Sequence, residues 1–441
     1  MNQNSDQKTA ASSALALLPL ILFITLFVGA GLYYQSINVE FAFYQLPGPV
    51  AVLPAIVLAV ILSKQKINQA IETFIGGVGH SNIVAMCMIY LLAGAFAAVA
   101  KATGGVDATV ALGLSLIPAD FLLPGLFIIS AFIATAMGTS MGTVAAVAPV
   151  AFGIVDQTSI PAALMAGAVI SGALFGDNLS IISDTTIAAT RTQGCEMKDK
   201  FRENLIFSVP AALIALVCFA LSSQQTVELA QNDFELMNVI PYLAILALAV
   251  AGLNVFVVLT LGILLAGGTG AIITDYSLLQ FGKDIYVGFG NMQEIFILSM
   301  LVGGLAALIQ QQGGLTFVSQ KIETLCHKFS RSAHSQVPRA AEFSMASIVA
   351  LTNSCVANNT VSIVVTGDIA KDLATKHGVS SKRAASILDI FSCVVQGLVP
   401  YGAQALLIAS IFLISPIEAI SYAWYCMILA VVSVVVIAIR K

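Results

Sequence analysis

The chain has 441 residues, of which 58% are hydrophobic and only 10% are charged. A soluble domain carries about 25% charged residues because water must hydrate its surface, so this composition excludes a soluble globular protein and indicates a surface that faces lipid. The net charge of -4 is too small to attract nucleic acid, and we expect no nucleic-acid partner. The seven cysteines are scattered without a CxxC motif, which predicts no disulfide framework and no cofactor.

Apolar stretches long enough to cross a bilayer occur along the whole chain. A transmembrane helix needs about 17 to 25 apolar residues. The first stretch, 14–34, is long for a signal peptide and lacks a clear small-residue cleavage site, so we predict that it is the first span. The other clear candidate spans are 47–63, 83–100, 205–222, 238–266, 292–310 and 416–439.

Two further apolar stretches, 105–190 and 314–412, are interrupted repeatedly by Gly, Pro, Asn, Asp and Thr. Such interruptions are typical of discontinuous helices and re-entrant segments, because irregular backbone survives at membrane depth only where protein or a cavity satisfies it. The sequence therefore predicts an all-α polytopic membrane protein that contains re-entrant hairpins and discontinuous helices.

An internal repeat is visible at an offset of about 210 residues. The segment 74–79 (FIGGVG) resembles 286–290 (YVGFG), and the glycine-rich segment 137–143 lies opposite the polar segment 351–360. The alternative is that both halves merely use small residues for helix packing. The repeat predicts five parts in chain order. They are an N-terminal span (1–46), a first repeat (47–204), a linking span with a polar loop (205–237), a second repeat (238–415) and a C-terminal span (416–441).

The positions of the basic residues favour an inverted relation between the two repeats. Cationic residues concentrate on the cytoplasmic side, so equivalent loops of inverted halves should differ in Lys and Arg content. The loops 191–202, 320–340 and 371–383 each contain four Lys or Arg residues, whereas their counterparts in the other half contain none. Lys101 and Lys283 do not follow this pattern. We expect the three basic loops to be cytoplasmic.

The densest polar segment at membrane depth is 176–186, which reads GDNLSIISDTT. A charge at the centre of a membrane helix costs about 2.5 to 3.5 kcal/mol even on lenient scales, so these carboxylates indicate a functional site. If the segment is helical, Asp177, Ser180 and Asp184 lie along one face and converge on one cavity. The alternative is a polar loop in which the two aspartates cap helices. We predict a Na+ site with both aspartates as metal ligands and with further contacts from Asn178, Ser180, Ser183, Thr185 and Thr186.

Polar groups at the other interruptions are predicted to complete this site. Those at the breaks of the first and second halves are Thr139, Ser140, Asn353, Ser354, Asn358, Asn359 and Thr360. Asp389 lies among Ile, Leu and Phe, and two hypotheses remain open for it. It is either a buried, protonated carboxyl that carries a proton or a helix residue that pairs with Lys382 or Arg383 near the membrane surface.

The segment 138–142 (GTSMG) matches the GxSxG motif and raises the hypothesis of an intramembrane serine hydrolase that uses Ser140. Such a serine needs a base within hydrogen-bond reach. Three of the four histidines, at positions 327, 334 and 377, lie in basic loops, and the fourth, at position 80, precedes an apolar span, so none lies at a chain break. Helix packing through Gly138 and Gly142 is a second explanation of the motif. The sequence therefore favours a transporter over an enzyme.

The segment 176–186 resembles the signature of the NhaC-type sodium/proton antiporter family, which reads close to GDKLSPLSDTT. Asn178 replaces the usual Lys, and Ile181 replaces the Pro. The similarity extends over most of the chain, including 357–360 and 400–404. The resemblance implies an exchanger of the bacterial inner membrane, in which each of two inverted repeats holds a re-entrant hairpin and a broken helix. It also implies a cation and substrate site that includes Asp177, Ser180, Asp184, Thr185 and Thr186.

Two transport functions follow from these observations. A buried carboxylate lets a cation and a proton compete for the same oxygens, which favours sodium/proton antiport. The family also includes relatives that resemble amino-acid and malate/lactate carriers, so the alternative is a sodium- or proton-coupled amino-acid transporter. Because residue 178 is neutral, we expect Asp177 to lack a nearby internal cation and to attract sodium or a substrate amino group. We also expect a homodimer that associates through scaffold helices, surrounded by membrane lipid.

Overall fold

The computed structural model describes residues 12–439 except for 38, 40–44, 117–120, 157, 182, 223–235, 252, 274, 319, 322–323 and 325–336. The regular elements in these residues are all helices. The helices of the first half are α1 Leu18–Ser36, α2 Gly48–Leu62, α3 Ile67–Val78, α4 Ser81–Ala102, α5 Gly105–Leu116, α6 Leu122–Met137, α7 Ser140–Asp156, α8 Ala162–Leu179, α9 Asp184–Gln193 and α10 Met197–Ser222. Those of the second half are α11 Ile240–Val250, α12 Val255–Ile273, α13 Leu278–Asn291, α14 Gln293–Gln311, α15 Val337–Val356, α16 Asn359–His377, α17 Ser381–Gln396, α18 Ala403–Phe412, α19 Pro416–Ser421 and α20 Trp424–Ile439.

The chain is an all-helical polytopic membrane protein. Within the described residues, six apolar helices are long enough to cross a bilayer, and several shorter apolar helices accompany them. Five predicted spans coincide with α1, α2, α4, α10 and α14. The polar loop predicted after α10 and most of the basic loop 320–340 lie outside the described residues.

Two predicted spans are each divided into two helices. The prediction of one span at 238–266 is wrong, because α11 ends at Val250 and α12 begins at Val255. Asn254 causes the restart, since its side-chain oxygen accepts a hydrogen bond from the Phe256 N–H at 2.9 Å. The span predicted at 416–439 divides into α19 and α20, because a capping box at Ser415 starts a short first helix.

Two pairs of consecutive helices, which we name the first and second hairpin, each pack on the helix that follows them. Helices α6 and α7 form the first and pack on α8, while α15 and α16 form the second and pack on α17. After the chain breaks that follow α8 and α17, the next helices exchange partners. Helix α9 packs on α16 of the second hairpin, and α18 packs on α7 of the first. The two halves are therefore interlocked at the four chain breaks.

Glycines bring the first hairpin into close contact with α8. A Cβ atom on Gly176 would lie 2.2 Å from the Ala131 carbonyl oxygen, and one on Gly172 would lie 2.3 Å from that of Phe127. Both glycines lie on one face of α8, four residues apart, so only hydrogen at these positions lets α6 approach so closely. This contact fixes the hairpin relative to the break at the end of α8.

Backbone conformations with positive φ recur in the two halves. In the first half they occur at Gly104, Gly138 and Gly194. In the second half they occur at Gly313, Ala357 and Leu413, about 210 to 220 positions later, and also at Gly378. Each of these residues ends a helix or joins two helices. The left-handed conformation disfavours any residue with a Cβ atom, so Ala357 and Leu413 adopt a backbone conformation that their own residue types disfavour.

Candidate functional site

The ends of helices from both halves surround a cavity of about 110 Å³. Its lining includes both hairpin tips, the break between α8 and α9, and the ends of α17 and α18 that face each other. Helix α4 contributes the remaining wall. The polar residues that line the cavity are Asn82, Thr139, Ser140, Asp177, Ser183, Asp184, Thr185, Asn358, Asn359, Thr360, Gln396 and Gln404.

The segment 176–186 is a helix break rather than one continuous helical face. Helix α8 ends at Leu179 and α9 begins at Asp184, with Ser180 and Ser183 in extended conformations at ψ 133° and 142°. The prediction that Asp177, Ser180 and Asp184 share one helical face is therefore wrong. The two aspartates nevertheless line the same cavity, because the break redirects the chain around it.

Asp177 is the most strongly bonded carboxylate at the cavity, and its side chain is only 3% exposed. Ser140 at the tip of the first hairpin donates to Oδ2 at 2.7 Å, and Ser183 after the break donates to Oδ1 at 2.5 Å. Ser140 in turn accepts a hydrogen bond from Gln404 Nε2 at 3.0 Å. One carboxylate thus connects the first hairpin, the α8–α9 break and the start of α18.

The start of α9 shows that neither aspartate is a helix cap. Ser183 is the N-cap residue, and its hydroxyl accepts a hydrogen bond from the Thr185 N–H. The same hydroxyl lies 2.8 Å from Thr185 Oγ1. Asp184 occupies the first helical position, where a carboxylate is favoured by the helix dipole, and its side chain is exposed at the cavity. The capping alternative for the two aspartates is therefore wrong.

The second half contributes amides to the opposite wall. Asn358 caps α16 by accepting a hydrogen bond from the Val361 N–H at 3.0 Å. Gln396 Nε2 donates to Gln404 Oε1 at 2.8 Å, and Gln396 Oε1 is buried without a hydrogen-bond partner among the described residues. Sequence reasoning missed Asn82, Gln396 and Gln404 as site residues. Amide side chains in apolar helices carry no charge, so only the position of Gln404 after a Pro-Tyr-Gly break signalled it.

A buried ion pair lies beside the cavity, on the other side of the α8–α9 break. Lys200 Nζ and Asp389 Oδ2 are 2.8 Å apart, and both side chains are fully buried. Lys200 also donates to the Asn178 carbonyl oxygen at 3.2 Å and to Thr186 Oγ1 at 2.7 Å. Asn204 donates to the same carbonyl and to Asp389. Lys200 and Asn204 therefore both donate to the carbonyl group that the end of α8 leaves free.

This pair corrects three expectations. Lys200 was expected in a cytoplasmic basic loop, but it lies one turn inside α10 and is completely buried. Asp389 pairs with Lys200 rather than with Lys382 or Arg383. Arg383 instead bonds Glu203 and Glu342, at 3.2 and 2.9 Å. The expectation that Asp177 lacks a nearby internal cation is also wrong, since Lys200 is hydrogen-bonded to the adjacent residue in the chain.

Several predicted site residues lie outside the cavity lining. The Asn178 side chain donates to the Tyr425 hydroxyl at 2.9 Å, and Ser180 donates to the Thr135 carbonyl. Thr186 bonds the Ser180 carbonyl. Asn353 donates to the Ser392 carbonyl, and the Ser354 hydroxyl donates to Ala350. These residues and Asp389 therefore contact neighbouring protein groups rather than the cavity, and Thr186 bonds the backbone of the α8–α9 break.

The arrangement suits a small hard cation. Such an ion prefers several oxygen ligands, and the lining offers two carboxylates, hydroxyls and amide oxygens. In the part of the chain that the structure describes, no three His, Cys, Asp or Glu side chains converge as a metal-binding group. Any cation at the cavity must therefore draw its remaining ligands from neutral oxygens.

A family model decides the class of the protein. The model described as the Na+/H+ antiporter family matches residues 8–222 and 220–440, and so covers nearly the whole chain. The chain belongs to the Na+/H+ antiporter family. Members of this family are transporters, so the hypothesis of a serine hydrolase is wrong. The Ser140 hydroxyl that it invoked donates to a carboxylate instead of a histidine.

Individual relatives agree with the family assignment. The chain is 27% identical to the Na+/H+ antiporter NhaC of Bacillus subtilis over 82% of its length and 85% of that protein. It is 22% identical to the arginine/ornithine antiporter ArcD of Halobacterium salinarum over 92% of its length and 88% of that protein. The solved structure of MtrF from Neisseria gonorrhoeae covers 97% of this chain and 96% of its own, at 12% identity and a TM-score of 0.44. The chain is a multi-pass membrane protein with bacterial homologues.

Proposed function

We propose that the protein exchanges Na+ for H+ across the bacterial inner membrane, with the cavity at Asp177 and Asp184 as its ion site. The observation that carries this proposal is the environment of Asp177, a buried carboxylate that two serine hydroxyls aim at a cavity with oxygen-bearing walls. The ion ligands are the two aspartates together with Thr139, Ser140, Ser183, Thr185, Asn358, Asn359 and Thr360.

The size of the cavity supports an inorganic ion over an organic substrate. Its volume of about 110 Å³ is well below that of pockets that bind drug-sized molecules, which measure about 300 to 1,000 Å³. A cation with a partial hydration shell fits such a space.

Exchange follows from competition for one set of oxygens. A carboxylate in a dry site is stable when it holds either a proton or a cation, because an isolated buried charge is costly. Protonation of Asp177 removes the negative charge that attracts Na+, and Na+ in turn favours release of the proton. Loading from one side of the membrane and release to the other then couples the two gradients.

We further propose that the halves are inverted repeats and that alternating access moves one group of helices against the other. The recurrence of positive-φ residues and the exchange of hairpin partners by α9 and α18 both support this arrangement. We also propose a homodimer that associates through scaffold helices such as the first or last span, which would stay fixed while the other group moves. Cross-linking in native membranes that captures only monomers would contradict the dimer.

The proposal is tested with purified protein in proteoliposomes that contain a pH-sensitive dye. We expect addition of Na+ to drive proton movement, and we expect addition of amino acids in the absence of Na+ to have no effect. The alternative is an amino-acid exchanger, which the similarity to the arginine/ornithine antiporter over 92% of this chain favours. That alternative predicts no proton movement until an amino acid such as arginine is supplied.

The variant Asp184→Asn tests the ion site itself. This change keeps the size of the side chain and removes one charge, so we expect sodium-driven exchange to fall by about tenfold or more. Asp372→Asn is the matched control, because Asp372 is exposed on α16 and away from the cavity. Exchange by a correctly inserted Asp184→Asn protein at the wild-type rate would exclude this assignment.

A further inference from the structure

A second and larger cavity, of about 490 Å³, lies beyond the ion site toward the opposite ends of the same helices. On α4, Asn82 to Ile89 line the small cavity and Gly94 to Lys101 line the large one. On α7 the small cavity is lined near Ser140 and the large one near Phe152. The residues of α18 follow the same order. Three helices thus run from one cavity to the other.

The two cavities are close but separate. Along α18, Gln404 lines the small cavity and Leu406 the large one, so about 3 Å of helix rise divides them. Along α4 the gap from Ile89 to Gly94 is about 7.5 Å. Tyr90 and Ala93 on α4 and Ala405 on α18 lie in these gaps and are buried, whereas Leu91 and Leu92 are partly exposed. A single layer of packed side chains therefore separates the large cavity from the ion site.

Charged groups distinguish the large cavity from an apolar crevice. Asp107, Glu294 and Lys101 line it. Asp107 and Lys101 are exposed, and the Glu294 carboxylate accepts a hydrogen bond from the Gly48 N–H at 3.2 Å. These groups lie at the ends of α4, α5 and α14. Helix α8 begins after the end of α7 on the large-cavity side and ends at the small cavity, and α9 continues from there to the basic loop 191–202. The cavity therefore lies on the side away from the basic loops.

We infer that the large cavity is the aqueous vestibule through which hydrated Na+ passes between the extracytoplasmic side and the ion site. This inference rests on the proposed sodium/proton exchange, and it adds the route of the ion and the side from which that route opens. The acidic groups raise the local concentration of cations, and the layer at Tyr90 is the closed gate of this conformation. Two acidic residues against one lysine leave the vestibule walls with a negative balance.

The test uses cysteines placed in the vestibule wall. Ala98→Cys on α4 and Ser410→Cys on α18 replace small, partly exposed residues. We expect an impermeant, positively charged thiol reagent to label both from the outside of intact cells. The bulky cation should then lower sodium-driven exchange by about tenfold. Leu213→Cys is the control, because Leu213 is 58% exposed on α10, outside the vestibule, where lipid excludes a charged reagent. Labelling of the protein without an introduced cysteine gives the background from the natural cysteines.

The outcomes are separable because labelling does not require transport. The vestibule assignment would be overturned if Ala98→Cys and Ser410→Cys are labelled only in inside-out vesicles. It would also be overturned if labelling from the outside leaves sodium-driven exchange at its full rate. Absence of sodium-driven exchange in the unlabelled protein would overturn the proposed function instead.

A second measurement uses Asp107→Asn, which should raise the KM for Na+ by about threefold at low ionic strength and less at high salt. A KM that does not change at either ionic strength would contradict cation attraction by the vestibule.

Discussion

The buried pair of Lys200 and Asp389 is the strongest electrostatic feature at the residue scale. Both side chains are fully buried at 2.8 Å, and Lys200 also bonds the end of α8. Removal of one partner leaves an uncompensated charge, which typically costs about 3 to 5 kcal/mol, whereas removal of both is often close to neutral. Loss of one partner should therefore destabilise the fold more than loss of both.

We predict that Lys200→Met lowers the free energy of unfolding by about 3 to 5 kcal/mol and that the double variant Lys200→Met/Asp389→Leu recovers most of this loss. Denaturant unfolding in detergent can be followed by the fluorescence of Trp424, the single tryptophan, which stacks on Phe219 at 4.8 Å. Lys198→Met is the control, because Lys198 is exposed. A double variant as unstable as the single one would mean that Lys200 stabilises the fold by other contacts.

Sequence could predict the carboxylates of this region but not their partners. Asp177, Asp184 and Asp389 are recognisable because a charge in an apolar segment needs a reason. Lys200 belongs to a run of basic residues that resembles an ordinary cytoplasmic loop, and only the start of α10 at Met197 places it inside the protein. Its partner is nearly 190 positions away, and no local pattern connects residues so far apart.

At the element scale, the contact between α6 and α8 depends on small residues. The Cβ atom of an alanine at position 176 would lie 2.2 Å from a backbone oxygen of α6, which a side-chain rotation cannot relieve. Gly125 provides a matched comparison on α6, because a Cβ there would have no atom within 4 Å. The same substitution therefore has opposite consequences at the two positions.

We predict that Gly176→Ala destabilises the protein by about 1 to 3 kcal/mol, because overpacking forces the hairpin away from α8. Gly125→Ala should instead stabilise it by up to about 1 kcal/mol through helix propensity. Thermal unfolding of the two purified variants measures both effects. The close-packing explanation fails if Gly176→Ala unfolds at the temperature of Gly125→Ala.

Helix breaks were partly predictable from sequence. Gly138 at the first hairpin tip has φ +69°, and a glycine among polar residues indicates such a break. Ala357 at the second hairpin tip has φ 53°, and the polar residues around it indicated a break, but an alanine does not itself predict a conformation that it disfavours. The break at 180–183 was concealed by the serine and threonine content of 176–186, which suits a helical face and a loop equally well.

At the scale of the whole molecule, composition predicted the membrane class, whereas the division into two repeats stays a prediction from internal similarity. The family model matches 8–222 and again 220–440, close to the offset visible in the sequence. The meeting of four breaks at one cavity could not be read from either half. It arises because α9 and α18 each pack on the hairpin of the other half, which is a relation between elements distant in sequence.

Inverted repeats make a definite prediction about the two loops that follow the hairpins. Ser159 precedes α8, Ser380 precedes α17, and both side chains are exposed. If the halves are inverted, these equivalent positions lie on opposite faces of the membrane, with Ser380 beside the basic residues of 371–383 and therefore cytoplasmic. We predict that an impermeant maleimide labels Ser159→Cys in intact cells and Ser380→Cys only in inside-out vesicles. The near-isosteric change from serine to cysteine leaves the loops undisturbed, and labelling of both variants from the same face would show that the halves are parallel. Their interlocked breaks would then need an explanation other than inversion.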